Sequence, residues 1–151
     1  VYISITDQGI LNWTTKNENG SLPFIIQQYR WNKWNNIGEI KGKGVPELCD
    51  YNFNVDFNSG QNKFRILQLD NKGKPRLSKN ITHNSSIPKL TFFYNRQKKQ
   101  IVFSAKTKFE IHDKYGTLIQ RGYNELIEVE NLPKDYYWLS YDSVTEKFKR
   151  N

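Results

Sequence analysis

The stretch YNFNVDFNSGQNKFRILQL, residues 51–69, decides how this chain folds. Large apolar side chains alternate with polar ones through YNFNVDF (51–57) and, nearly so, through KFRILQL (63–69). That is the period of half-buried strands, not of a helix. Between the two runs NSG (58–60) supplies turn chemistry. The same texture extends toward the start of the chain. VYISI (1–5), ILNWTT (10–15) and PFIIQQY (23–29) alternate, and DQG (7–9), NENG (17–20), GKG (42–44) and NKG (71–73) punctuate them. Asn71, Lys72 and Gly73 suit a tight hairpin turn in which the glycine takes positive φ.

Near residue 82 the pattern changes. THNSSIPK (82–89) is polar, ends near Pro88 and reads as a linker, with His83 inside it. Alternation then resumes in KLTFFY (89–94), QIVFSA (100–105), KFEIHD (108–113), TLIQRG (117–122), LIEVEN (126–131) and YYWLSY (136–141), with turns at DKYG (113–116) and NLPKD (131–135). Mean hydropathy is −0.79 and there is no Met, yet aromatics make up 15% of the chain, so the core is expected to be Trp, Tyr, Phe and Ile. The expected fold is all-β: two small antiparallel β-sandwiches of immunoglobulin/fibronectin-III type in tandem, over 1–84 and 85–151. No run approaches the roughly 18 apolar residues of a membrane span. The start at Val1 without any Met reads as a processed or trimmed form.

The net charge is +8, and it is dispersed: residues 1–86 hold 11 basic and 7 acidic side chains, residues 87–151 hold 12 and 8. Such a balance admits nucleic acid, anionic lipid or an acidic protein surface as partner. Catalytic constellations are poorly supplied. The histidines are His83 and His112, too few for the usual zinc sets. Cys49 reads as a small buried thiol. Asp56 and Asp70 sit beside turns, where carboxylates bond backbone N–H groups. GEIKGKG (38–44) lacks the Lys-Ser/Thr ending of a phosphate loop. No catalytic residue, cofactor, metal or small-molecule substrate is expected.

Trp13, Thr15 and Glu18, then Phe24 and Ile26, then Trp34, Ile37, Gly38, Gly42 and Gly44 follow one another at set spacings. Tyr51, Phe53, Asp56, Gly60, Phe64, Arg65, Leu69, Asp70, Gly73 and Ser78 continue the series. Over about 70 residues this resembles the fibronectin-III-like module found near the C-termini of many Bacteroidota proteins. FEIHDKYGTLIQRG (109–122), LIEVENLPKDYYWLSY (126–141) and EKFKRN (146–151) resemble the type A sorting domain of proteins exported by the type 9 secretion system. YNRQ (94–97) stands where that domain carries Pro-Asn-Pro, and Asp135 where it carries Gly. These departures point away from exported cargo and toward a component of the export apparatus. The resemblance then implies a non-enzymatic periplasmic accessory subunit that docks on the outer-membrane translocon, a large β-barrel channel, and plugs its periplasmic opening. The alternative is a secreted or cell-surface adhesin-type module.

YRWNKWNN (29–36) is the stretch to weigh for contacts. Aromatic faces among cations suit stacked bases, and KGKG (41–44) has glycines that could cradle phosphate. The even spread of charge, with Glu39 and Glu47 interrupting, argues against nucleic acid. On the family pattern RWNK is a turn, Trp34 begins the return strand and packs inward with Phe24 and Ile26, and Trp31 stands at the tip. The candidate partner-binding set is Arg30, Trp31, Lys33, Lys41 and Lys43, because Trp and Arg anchor many interfaces. In YYWLSY, Tyr137 and Leu139 share one strand face and Tyr136 and Trp138 the other. One of these faces is expected to fill the sandwich and the other to meet the first domain or a partner.

Overall fold

A computed structural model describes residues 2–151; Val1, the first residue of the expected opening strand, lies outside the described residues. The chain is all-β, with thirteen strands among the described residues. Those before the boundary are β1 (Tyr2–Ile5), β2 (Ile10–Thr15), β3 (Pro23–Arg30), β4 (Lys33–Lys41), β5 (Cys49–Asn54), β6 (Gly60–Leu69), β7 (Pro75–Leu77) and β8 (Ile81–Ser85). After it come β9 (Phe92–Asn95), β10 (Gln100–His112), β11 (Leu118–Glu128), β12 (Asp135–Tyr141) and β13 (Val144–Arg150). They form two compact units, residues 1–87 and 88–151.

In the first unit, β1, β2 and β5 make one antiparallel sheet. A second runs β4-β3-β6, with the far edge of β6 shared by β7 and β8. Two antiparallel sheets facing across one core make a sandwich of immunoglobulin/fibronectin-III type. The alternation of the sequence explains the packing. Leu11 and Trp13 on β2, Phe24 and Ile26 on β3, Tyr51 on β5 and Phe64 and Ile66 on β6 turn inward and are all buried. Trp13 stacks on Tyr51 at 5.5 Å, and Phe24 meets both rings, at 5.9 Å and 4.9 Å. YNFNVDF thus leaves the first sheet and KFRILQL enters the second. The loop between them is pinned by buried Asn62, whose Oδ1 accepts from Asn58 N at 2.8 Å and whose Nδ2 donates to the carbonyls of Asn58 at 3.0 Å and Gly60 at 3.2 Å.

The turn at Asp70–Gly73 forms as expected. Gly73 has φ 78° and its N–H donates to Asp70 O, while the Asp70 carboxylate accepts from the N–H groups of Lys72 and Lys74. The linker reading of THNSS is corrected. Residues 81–85 are strand β8, paired with Gly60–Phe64, and His83 stacks on Phe57 with centroids 4.4 Å apart. The segment alternates as a strand does, and an imidazole against a phenyl ring serves as a half-apolar inward residue. Between β7 and β8, Ser78 stands in for the missing ladder: its Oγ accepts from Ile66 N at 2.8 Å and its N–H donates to Ile66 O at 2.9 Å.

The second unit is one five-stranded sheet folded over on itself. QIVFSA and KFEIHD, two strands by sequence, are one strand, β10, as TLIQRG and the start of LIEVEN are one strand, β11. The register of β10 on β11 jumps between Val102 and Thr107, a bulge that bends the strand. The first half of β10 pairs with β9, the second half with β12, which pairs in turn with β13. Across the resulting two layers, Phe92 meets Tyr141 at 5.5 Å, Tyr94 meets Phe148 at 6.0 Å and Phe103 meets Tyr141 at 5.3 Å. The first two pairs join strands that do not hydrogen-bond to each other, so the rings form a true interior. Tyr137 and Leu139 are the face of YYWLSY buried in it.

Candidate functional site

The β3–β4 hairpin ends in Trp31 and Asn32, with φ of 55° and 62°. Two consecutive left-handed residues make the two-residue turn that matches strand twist. Asn35 braces it, its Nδ2 donating to Arg30 O at 3.0 Å and Lys33 O at 3.1 Å. Trp31 is half-buried, with the Arg30 guanidinium 4.4 Å over its ring.

The position of Trp34 overturns the sequence expectation. Trp34 lies directly across from Tyr29 in the hairpin register, which puts both on the face opposite to Phe24 and Ile26. It is half-buried and packs on Tyr29, centroids 5.3 Å apart, not on the core. The inward tryptophan is Trp13 on the other sheet. Alternation counted back from Trp34 is broken by a bulge in β4, where Ile26 pairs with Gly38 but Gln27 with Asn36.

This outward face of β3, β4 and β6 carries an ordered ladder. Lys63 Nζ lies 5.2 Å over the Tyr29 ring, Tyr29 meets Trp34 edge to face, and the Arg65 guanidinium stacks 4.0 Å over Trp34. Arg65 Nε donates to Gln27 Oε1 at 2.7 Å, and Gln27 Nε2 donates to Asn36 Oδ1 at 2.8 Å. Cation, ring, ring, cation and amides lock one another across three strands. Tyr29, Lys63 and Arg65 were not among the sequence candidates. Their signal is the pairing of β3 with β6, which one sequence does not display.

The five sequence candidates divide into two groups. Arg30, Trp31 and Lys33 share the hairpin tip. Lys41 ends β4, about 26 Å from Lys33 at ~3.3 Å per strand residue, and Lys43 follows it. The backbone of KGKG is not open to phosphate. Gly42 N donates to Leu22 O, Lys43 N to the Tyr51 hydroxyl at 2.9 Å, and Gly44 N to Glu18 Oε1 at 3.2 Å. The hydroxyls of Thr15 and Tyr51 each donate to Glu18 Oε2 at 2.6 Å. Burial opposes charge on Glu18, but the hydrogen bonds from Thr15, Tyr51 and Gly44, with Cys49, outweigh it and hold its pKa below the ordinary value. Burial and the neighbouring carboxylate push Tyr51 up to about 12 and raise the buried Cys49 thiol. Glu18 is thus a clamp for the glycine loop.

A second outward face lies on β12 and β13. Lys147 Nζ lies 4.2 Å over Tyr136 and 5.7 Å over Trp138, and Lys149 Nζ 5.5 Å over Tyr136. The register pairs Tyr136 with Lys149 and Trp138 with Lys147, so strand alternation alone builds this group. Asp135 accepts from Tyr136 N at 2.7 Å and pairs with Lys114 at 3.1 Å, and both contacts lower its pKa.

The potential reactive groups are dispersed. Cys49 Sγ contacts Glu47 O in the first core, His83 lies on Phe57, and His112 Nε2 is 3.9 Å from Glu110 in the second unit. No cluster of three or more metal-ligating side chains occurs among the described residues. A polar groove of about 470 Å³ in the first unit is lined by Lys16, Asn17, Glu18, Gln68, Lys72 and Arg76, among others, and holds neither cysteine nor histidine.

No family model and no curated protein matches this chain. Among solved structures, it is similar to an amphioxus IgVJ-C2 molecule at 10% identity, covering 98% of this chain and 99% of that one with a TM-score of 0.30. The all-β sandwich assignment rests on the strand pairing itself.

Proposed function

We propose that this protein acts by docking, as a non-enzymatic accessory subunit of the type 9 secretion system that seats on the outer-membrane translocon and plugs its periplasmic opening. The observation that supports docking is the Lys63–Tyr29–Trp34–Arg65 ladder on an outward sheet face. Large rings held rigid before binding bury area at little entropic cost, and Trp, Tyr and Arg dominate the energetics of interfaces. The surplus of basic over acidic side chains in both halves of the chain speeds encounter with an acidic partner surface. The choice of partner rests on the resemblance to fibronectin-III-like and sorting-like modules.

The test is affinity purification of the tagged full chain from native envelopes. The reading expects an outer-membrane β-barrel channel to co-purify, less of it at high salt, and less with Trp34→Ala. Recovery of no such channel sinks the translocon reading. Recovery of the protein outside the cell with its last ~65 residues removed would instead make it exported cargo of adhesin type, the size being that of the second unit.

A further inference from the structure

We propose that β11 is a self-pairing edge through which two copies of this chain join into one continuous antiparallel sheet. β11 hydrogen-bonds to β10 along one side and, among the described residues, has no strand on the other. It is eleven residues long, and nine of the eleven are exposed. They include Leu118, Ile119, Tyr123 and Leu126, with Tyr123 59% exposed. An edge of this length with apolar side chains on it is a template for another strand.

The occupant is argued from the sequence of the edge, LIQRGYNELIE. Laid antiparallel on a copy of itself about Tyr123, it brings Arg121 opposite Glu125 of the second copy, and Glu125 opposite Arg121. The two Tyr123 rings then meet at the centre. Residues opposite each other in an antiparallel pair share a face, so both charge pairs form side by side. Gly122, beside the centre, offers no side chain to hinder approach. The strip holds one basic and two acidic residues, whereas residues 87–151 hold 12 basic and 8 acidic, so the edge does not share the positive surplus of its unit. Glu125 is the better placed of the two charges. It lies opposite the β10 bulge, between the paired positions Asn124 and Leu126, and has no cross-strand partner in its own sheet.

The experiment is sedimentation equilibrium of the full chain, alone and with charge reversals. Wild type should show twice the 17.9 kDa chain mass at micromolar concentration. Arg121→Glu and Glu125→Arg should each weaken self-association by about tenfold or more, since both symmetric pairs become repulsive. An equimolar mixture of the two variants should regain the dimer, because every opposed pair is then attractive. Should Arg121→Glu unfold beside its neighbour Glu110, Glu125→Arg carries the test alone. Added salt should then strengthen its dimer by screening repulsion, while it weakens that of wild type. A wild-type chain that stays monomeric to about 100 μM overturns the proposal. So do single reversals that dimerise like wild type, a mixture that stays monomeric, or a salt response of the same sign in both proteins.

Discussion

Arg65 and Trp34 lie on strands that are not neighbours, yet the guanidinium carbon sits 4.0 Å from the indole centroid, reaching across β3 between them. The contact fixes two large side chains on a face that a sandwich could have left to short polar residues. Arg65 is held from behind by Gln27, itself only 7% exposed and bonded to Asn36. The guanidinium is planar and carries a fork of donors, so it can stack and donate at once.

Trp34→Ala and Trp13→Ala should therefore behave differently. Trp34 stabilises mainly through half-buried ring contacts and a cation–π pair, so its loss should cost about 1–2 kcal/mol in urea unfolding. Trp13 is 1% exposed between Phe24 and Tyr51, and its loss should cost about 3–5 kcal/mol. Arg65→Lys should retain the charge, lose the stacked plane, and lower partner binding more than stability. Equal losses for the two tryptophans would contradict the outward placement of Trp34.

The same pair illustrates what one sequence can reveal. Alternation at YNFNVDF, KFRILQL and YYWLSY identified the all-β class, because a strand's period is local; which face turned inward, with Tyr51, Phe64 and Leu139 buried, took the strand pairing to decide. Trp34 was misplaced because a bulge at Ile37 shifts the phase, and a single extra residue leaves no mark on composition. QIVFSA and KFEIHD looked like two strands for the converse reason: the bulge between them interrupts alternation without ending the strand. The hairpin tip was legible from turn chemistry. Tyr29, Lys63 and Arg65 were not, since their association depends on which strands become neighbours.

Gly38 should tolerate no side chain. It faces Ile26 in the hairpin register, and a Cβ built on it would lie 2.3 Å from the Phe53 ring. A ring wedged between two sheets cannot swing aside as a lysine tip could. Gly38→Ala should cost about 1–3 kcal/mol through overpacking. A combined Gly38→Ala, Phe53→Leu variant should recover part of it. An alanine variant as stable as wild type would mean that Phe53 has another rotamer within reach.

The buried tyrosines predict an alkaline limit to stability. Burial and the nearby Glu18 raise Tyr51 from 10.0 to about 12; burial and the nearby Glu146 do the same for Tyr141. A raised phenol keeps its proton in the folded state after the unfolded chain has lost it. Its contribution is then complete below pH 10 and declines between 10 and 12. Stability measured by urea at successive pH values should fall across that window, and Tyr51→Phe with Tyr141→Phe should flatten the fall. Glu18 acts at the other end: its lowered pKa gives stability that is present above the ordinary value of 4.5 and lost as pH falls through the folded one. Glu18→Gln should remove that part of the acid limb. An unchanged acid limb would mean that the glycine loop is held without the carboxylate.

Asn62 offers the sharpest separation of hydrogen bonding from packing. It is 1% exposed, and both ends of its amide are engaged, Oδ1 by Asn58 N and Gln28 Nε2, Nδ2 by two carbonyls. Asn62→Ala removes every partner at once and leaves a buried donor and acceptors stranded, for about 2–4 kcal/mol. Asn62→Asp keeps the acceptor for Asn58 N and Gln28 but confronts the Asn58 and Gly60 carbonyls with negative charge. Near neutral pH the aspartate variant should be no more stable than the alanine one, and it should gain on it as the pH is lowered and the carboxyl takes up the proton it can donate. Amide hydrogen exchange at Asn58 reports the same event locally, through the N–H that Asn62 binds. Fast exchange there with an intact β6 would place the damage in the 58–60 loop, whereas a collapse of both sheets would make Asn62 a core residue and not a pin.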